Sequence, residues 1–210
     1  MKTGRLEAFS DGVLAIIITI MVLEIKVPHE PTFDALTPLL PIFLSYLLSF
    51  IYIGIYWNNH HHMLHSTEKI NGPILWANLH LLFWISLIPF ATGWVGENHF
   101  AAPALAVYGV ILFMSSVAYW ILEQLIIRKN GKHSLLAVAV GKDLKGKLSP
   151  ILYLVAILAT FVIPWVAQAI YIVVALIWLI PDTRIERIYD KEELLHQQHQ
   201  REREREQEPV

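Results

Sequence analysis

Three long stretches of the chain contain no Lys, Arg, Asp or Glu, and they constrain its fold more than any other feature. They lie between Asp34 and Glu68, between Lys69 and Glu97, and between Glu97 and Glu123. Each exceeds the roughly 20 residues that an α-helix needs to cross a bilayer. A charged side chain in the hydrocarbon layer costs on the order of 3 kcal/mol or more. The sequence therefore predicts three membrane-spanning helices in these stretches.

The composition agrees with a membrane protein and removes several functional classes. Only 16% of the 210 residues are charged, against about 25% in a typical soluble domain. The absence of cysteine excludes disulfides and thiolate metal sites. No Ser, His and acidic residues occur at a catalytic spacing, so we expect no enzyme. The net charge of −2 argues neither for nor against nucleic acid, and we expect no nucleic-acid partner.

The first apolar segment is more polar than the other three. Its uncharged core covers only residues 12–23, between Asp11 and Glu24. A helix long enough to span must take Asp11 into or near the membrane, where it should face protein or water. On a helical wheel of about 100° per residue, Ser10 and Asp11 point away from one apolar stripe. That stripe, with Thr19 on its edge, contains Arg5, Phe9, Gly12, Ile16, Ile20, Leu23 and Val27. The periodicity alone favours an ordinary amphipathic helix packed into a bundle.

The last apolar stretch, residues 148–181, is long for one span and short for two of about 20 residues each. Pro164 divides it, because a proline interrupts helical hydrogen bonding. The segment before it is strongly basic, which predicts a cytoplasmic location. Its basic residues are Arg128, Lys129, Lys132, Lys142, Lys145 and Lys147. Two short spans then return Arg184 and Arg187 to the cytoplasm.

The sequence thus predicts an all-α, polytopic membrane protein with six transmembrane helices per chain. No long segment occurs twice, so the chain is one repeat, and both the N- and C-termini are expected in the cytoplasm. The six-helix transmembrane domain is predicted over residues 1–182. Residues 183–210 form a charged cytoplasmic tail, for which a solvated helix or a disordered segment is the ordinary interpretation.

Four residues of the first helix form an Arg-x-x-x-Phe-Ser-Asp pattern: Arg5, Phe9, Ser10 and Asp11. This pattern resembles the signature of the bacterial relatives of the endolysosomal potassium channel, the transmembrane protein 175 family. The similarity continues into the next two predicted helices, at Tyr56-Trp57-Asn-Asn-His60-His61, at Asn78, and at Pro89-Phe90-Ala-Thr92. It is specific over roughly the first hundred residues and only topological beyond them.

The resemblance implies a homotetrameric potassium channel of the bacterial inner membrane, in which four copies of the first helix surround the pore. No Thr-Val-Gly-Tyr-Gly segment occurs, so the carbonyl filter of ordinary potassium channels is absent. Family members constrict the pore with apolar side chains of the first helix instead. Carried over to this chain, Ile16 forms the narrowest ring and Leu23 an outer ring. Thr19 supplies a hydroxyl layer between them, and Ile20 shares the wall.

The remaining motif residues are expected to pack the helices together and not to bind ions. Asp11 faces away from the stripe, so we expect it to accept hydrogen bonds from neighbouring helices. The candidate donors are Trp57, His60 and Asn78. The packing network predicted from the motif is therefore Arg5, Phe9, Ser10, Asp11, Trp57, His60 and Asn78.

Other interpretations stay open at this point. The cluster His60, His61, His62 and His65 suggests a metal site, but interfacial histidines that bond their neighbours are the ordinary explanation. We therefore predict no metal and no cofactor, with the potassium ion as the permeant species. A proton- or cation-coupled secondary transporter is the alternative function, with Asp11 and the histidines as a relay. Carriers usually contain internal repeats, and none is evident. A membrane-embedded metal enzyme is the third interpretation.

Overall fold

The computed structural model describes residues 3–67, 69–131, 134–141 and 144–179, and within them it contains helices and no strand. The predicted all-α class is therefore confirmed. A 3₁₀ helix, Phe33–Leu39, precedes the second of the α-helices. These are α1 (Gly4–Leu23), α2 (Leu40–His65), α3 (Gly72–Ser86), α4 (Ile88–Glu97), α5 (Ala102–Asn130), α6 (Leu135–Val140), α7 (Leu144–Thr160) and α8 (Pro164–Leu179). The predicted tail, residues 183–210, lies outside the described residues.

Four segments of the described chain are long and apolar enough to cross a membrane. They are Gly4–Leu23, Phe33–His65, Gly72–Glu97 and Ala102–Asn130. These segments overlap with the first predicted helix and with the three uncharged stretches. The protein is therefore a helical membrane protein. The last apolar stretch is divided as predicted, because α7 ends at Thr160 and α8 begins at Pro164.

The third predicted span is not one continuous helix. The structure ends α3 at Ser86 and starts α4 at Ile88, with Leu87 between them. Pro89 lies in the first turn of α4. A proline at this position has no N–H to donate to the carbonyl of Ile85, and its ring would clash with that carbonyl in a continuous helix. The uncharged run predicted a span of the right length here, and Pro89 divides that span into two helices.

The helices pack around α5. This helix contacts α3, α4, α7 and α8, and α2 contacts α4 and α8. Close approach of α5 to α7 and α8 depends on Gly109, where an added Cβ would collide with the Tyr171 hydroxyl and lie 2.8 Å from Ile157 Cγ1. Small residues allow such contacts between membrane helices. Helix α1 packs against α2, α3 and α4, so it lies beside the bundle and not within it.

Candidate ion pathway

One face of α1 is anchored in the bundle. Its buried residues recur every three or four positions, as expected for a helix with one face against a core. They are Leu6, Ser10, Leu14, Ile17 and Met21. The burial pattern shows that α1 turns a single, well-defined side towards α2, α3 and α4.

The opposite face of α1 is uncovered, and it is the stripe singled out in the sequence. Ile16 is 58% exposed, Ile20 43% and Leu23 78%. The exposed Thr19 donates its hydroxyl hydrogen to the carbonyl of Ile16 at 2.8 Å, so its oxygen lone pairs stay available to an outside group. Phe9, at the beginning of the stripe, is 52% exposed. A contiguous apolar surface of this kind marks contact with lipid or with another protein surface.

A groove runs beside this stripe, between α1 and the α3–α4 segment. It has a volume of about 750 Å³ and shares Ile16 and Ile20 with the stripe. Phe90 and Trp94 of α4 line its other wall. At one end it reaches two carboxylate residues, Glu24 and Glu97. The stripe and the groove together form a long surface along α1 that the described residues leave unfilled.

A buried hydrogen-bond chain fixes the orientation of α1. Asn78 of α3 donates through Nδ2 to Ser10 Oγ at 2.9 Å, and Ser10 donates to the carbonyl of Leu6 at 2.9 Å. The Oδ1 atom of Asn78 lies 2.7 Å from His60 Nε2. Because that oxygen accepts, Nε2 carries the hydrogen. The chain links α1, α3 and α2, and all three of its polar side chains are buried.

Asp11 lies on a second, more exposed contact between α1 and α2. Trp57 Nε1 donates to Asp11 Oδ1 at 3.1 Å. The other two candidate donors, His60 and Asn78, bond to each other and to Ser10 instead. Of the three candidate donors, Trp57 is the one that bonds to Asp11, and Ser10 is the buried residue of α1 in the network.

One residue of this contact was missed in the sequence. Glu7 Oε1 lies 2.8 Å from His61 Nδ1, one helical turn from the pair of Asp11 and Trp57. A signal was present, because Glu7 and Asp11 are four residues apart and so are Trp57 and His61. Two such spacings place two polar pairs on facing helices.

The histidines of the cluster stack on neighbouring rings and do not point towards one common centre. The His61 ring stacks on Trp57 with centroids 6.2 Å apart and on His65 at 5.9 Å. Within the described ranges, no three His, Cys, Asp or Glu side chains come together as a possible metal site. Arg5, the first residue of the motif, is exposed at the N-terminal end of α1.

Similar proteins connect this geometry with a known family. Residues 5–89 match the family described as endosomal/lysosomal potassium channel TMEM175. A potassium channel of Chryseobacterium sp. (strain P1-3) is 58% identical over 187 residues, which cover 89% of this chain and 97% of that protein. The chain belongs to the TMEM175 family. This is a family of ion channels and not of enzymes, so the third interpretation of the sequence is excluded.

The TMEM175 fold is also shared with a solved structure. The crystal structure of a lysosomal potassium-selective channel TMEM175 homolog from Chamaesiphon minutus superposes with a TM-score of 0.76 and 31% identity. The match covers 86% of this chain and 97% of that one. The endosomal/lysosomal proton channel TMEM175 of Gallus gallus is 33% identical over 133 residues, but those cover only 26% of its length.

Proposed function

We propose that this TMEM175 chain is one subunit of a homotetrameric, potassium-permeable channel in the bacterial inner membrane, with α1 lining the pore. The observation that carries the proposal is the exposed apolar stripe on α1, whose opposite face is held by the buried bond between Ser10 and Asn78. Four copies turned towards one axis would cover that stripe and enclose a pathway. Two bacterial relatives are named potassium channels, which supports potassium as the permeant ion.

Contacts between helix ends support a common orientation for the spans. Glu7 at the start of α1 bonds to His61 near the end of α2. The backbone N–H of Lys69 donates to Asn130 Oδ1 at 3.0 Å, so the ends of α2 and α5 lie together. At the other side of the subunit, Lys26 Nζ pairs with Glu97 at 3.4 Å. We assign the first side, which carries the basic segment after α5, to the cytoplasm.

Helices α7 and α8 complete the proposed six spans and keep both termini in the cytoplasm. They contain 17 and 16 residues, which is ~25 Å at 1.5 Å per residue. The hydrocarbon layer is about 30 Å thick, and local thinning or flanking side chains accommodate such a mismatch. Because a connection of only a few residues joins them and they pack on each other, an antiparallel hairpin is the natural arrangement.

The proposed gate works by excluding water. In the tetramer, Ile16 would form the narrowest apolar ring, Leu23 an outer ring, and Ile20 part of the wall between them. Such a constriction holds water poorly, and an ion that enters must shed part of its hydration shell. Potassium loses its shell more cheaply than sodium does, which favours potassium. The Thr19 oxygens, whose hydrogen is bonded to the Ile16 carbonyl, would replace part of the lost shell.

The first test is recording from the purified chain in a planar bilayer, with potassium and sodium on opposite sides. We expect Ile16→Asn to raise the unitary conductance and to shift the reversal potential towards zero, because a polar ring wets the constriction. Val22 is also exposed on α1 but lies outside the stripe, so Val22→Asn is the matched control and should keep the wild-type selectivity. Unchanged current and ion preference in Ile16→Asn would overturn the gate assignment.

The same recording separates the channel from its alternatives. A secondary transporter turns over too slowly for unitary current steps, so clear steps exclude it. The vertebrate relatives are named proton channels, which favours protons as a second permeant ion. A reversal potential that follows a pH gradient at equal potassium would show proton permeation, and one that ignores the gradient would exclude it.

A further inference from the structure

We propose that Glu24 is the residue that draws potassium to the outer mouth of the pathway, so that current entering from that side exceeds current leaving through it. The inference rests on the proposed function. Glu24 directly follows Leu23 and caps the C-terminal end of α1. It lines the same groove as Ile16 and Ile20. Its charge therefore lies at the end of the proposed ion path and outside the apolar layer.

The Glu24 carboxylate faces the opposite wall of the groove, which α4 forms. Its Oε2 atom lies 3.9 Å from the place where a Cβ on Gly93 of α4 would be. The carboxylate thus leans across the mouth of the groove towards α4. A Cβ at Gly93 would only reach ordinary van der Waals contact with this oxygen, so the carboxylate faces α4 across open space at the mouth of the groove.

Acidic residues outnumber basic ones among the described residues at this end. Lys26 pairs with Glu97 at 3.4 Å, and both are exposed. The connection after α1 adds two further exposed carboxylates, Glu30 and Asp34. Glu24 has no ion pair within the described part of the chain. The helix C-terminus adds the equivalent of about half a negative charge. The net field at this mouth is therefore negative, and four subunits would place four such carboxylates around it.

The stripe itself carries a different charge at its cytoplasmic end. Glu7 and Asp11 keep their negative charges there, but they face α2, where they contact His61 and Trp57. Arg5 is exposed and lies on the stripe. A pathway with carboxylates at one mouth and guanidinium groups at the other concentrates cations on the first side only. The expected result is rectification, with larger inward than outward potassium current at low salt.

Salt concentration separates this field effect from a change in pore shape. The Debye length is about 30 Å at 0.01 M salt and about 3 Å at 1 M. A carboxylate that acts through its field therefore matters at low salt and is screened at high salt. We expect Glu24→Gln to lower the inward unitary current by about twofold or more at low potassium chloride, and to leave it unchanged at about 1 M. Glu24→Asp keeps the charge and should resemble the wild type.

Because the chain contains no cysteine, the charge can also be changed within one open channel. In Glu24→Cys, the negatively charged reagent 2-sulfonatoethyl methanethiosulfonate, applied from outside, should raise the inward current above that of the unmodified variant. The positively charged 2-(trimethylammonio)ethyl methanethiosulfonate should lower it. Glu30→Cys, six residues further along the loop, is the control and should respond much less.

The outcomes distinguish this inference from the proposed function. Glu24→Gln currents equal to the wild type at low salt, or reduced equally at both salts, would overturn the role of Glu24 and leave the channel intact. Modification of Glu24→Cys with the same effect for both reagent charges would overturn it as well. Absence of potassium current in the wild-type protein would instead reject the channel itself.

Discussion

Helices α1 and α5 are both apolar segments of membrane-spanning length, but the bundle uses them differently. Buried residues occur on all sides of α5, for example at Ala104, Leu105 and Ala106 in succession. On α1 the buried residues keep to one side, and Ile16 and Leu23 on the other side stay exposed. Helix α5 is therefore the centre of the subunit, whereas α1 presents a surface that the rest of the described chain leaves uncovered.

The two helices are also held by different interactions. Helix α5 relies on close packing, with Tyr171 of α8 lying against Gly109 and donating its hydroxyl hydrogen to the Leu105 carbonyl at 3.1 Å. Helix α1 relies on a directional bond between Ser10 and Asn78. Packing of small residues sets the distance between helices, but a hydrogen bond also sets rotation about the helix axis. A helix that must aim a stripe in one direction needs the second kind of contact.

The largest expected effect is at the closest approach. In Gly109→Ala the new methyl group collides with the Tyr171 hydroxyl, so we expect α5 and α8 to separate and the folded state to lose about 3 kcal/mol. The measurement is the melting temperature of the protein in detergent. Gly54→Ala on α2 meets no atom within 4 Å and should melt at or slightly above the wild-type temperature, because alanine favours the helix. Equal loss in both variants would show that the contact at Gly109 is not the cause.

A smaller loss is expected from the polar chain. Asn78→Leu leaves the buried Ser10 and His60 without their partner, which costs about 1–3 kcal/mol. It should also broaden the ion selectivity, because α1 can then rotate. Asn98→Ala is the control, since the Asn98 side chain is exposed and donates to the Trp94 carbonyl of its own helix end. If Asn78→Leu melted later than the wild type, the network would not stabilise α1.

The smallest effects are expected from two single hydrogen bonds made by α2, one to α8 beside α5 and one to α1. Tyr52→Phe removes a buried bond of 2.6 Å to the Tyr171 carbonyl and should cost about 1 kcal/mol. Trp57→Phe removes the exposed 3.1 Å bond to Asp11 and should cost about half as much. Melting curves of both variants, measured side by side, check this order. The reverse order would show that the Asp11 contact anchors α1 more firmly than its exposure indicates.

Some of the site could be predicted without coordinates because the physics is local. A charge-free run of sufficient length is a span wherever its neighbours lie, and a wheel assigns the stripe of Ile16, Ile20 and Leu23 to one face. The motif added the identity of the partners, including Trp57 for Asp11. The motif did not show which of these side chains bond to one another. That pairing depends on which side chains meet at 3 Å across three helices, and sequence spacing on one helix carries no such information.

The break at Leu87 and the contact between Glu7 and His61 are two further features that the sequence alone did not predict. Pro89 was visible in the sequence, but its cost to a continuous helix had to be weighed against the packing of α3 and α4 on α5. Glu7 was visible too, but its partner is on another helix.

By itself the sequence determined the apolar spans and the two faces of α1, since both follow from the periodicity and charge of a single segment. Only the tertiary structure decided that Ser10 is the buried anchor and that Glu24 leans towards α4, because these depend on the distance and rotation between helices.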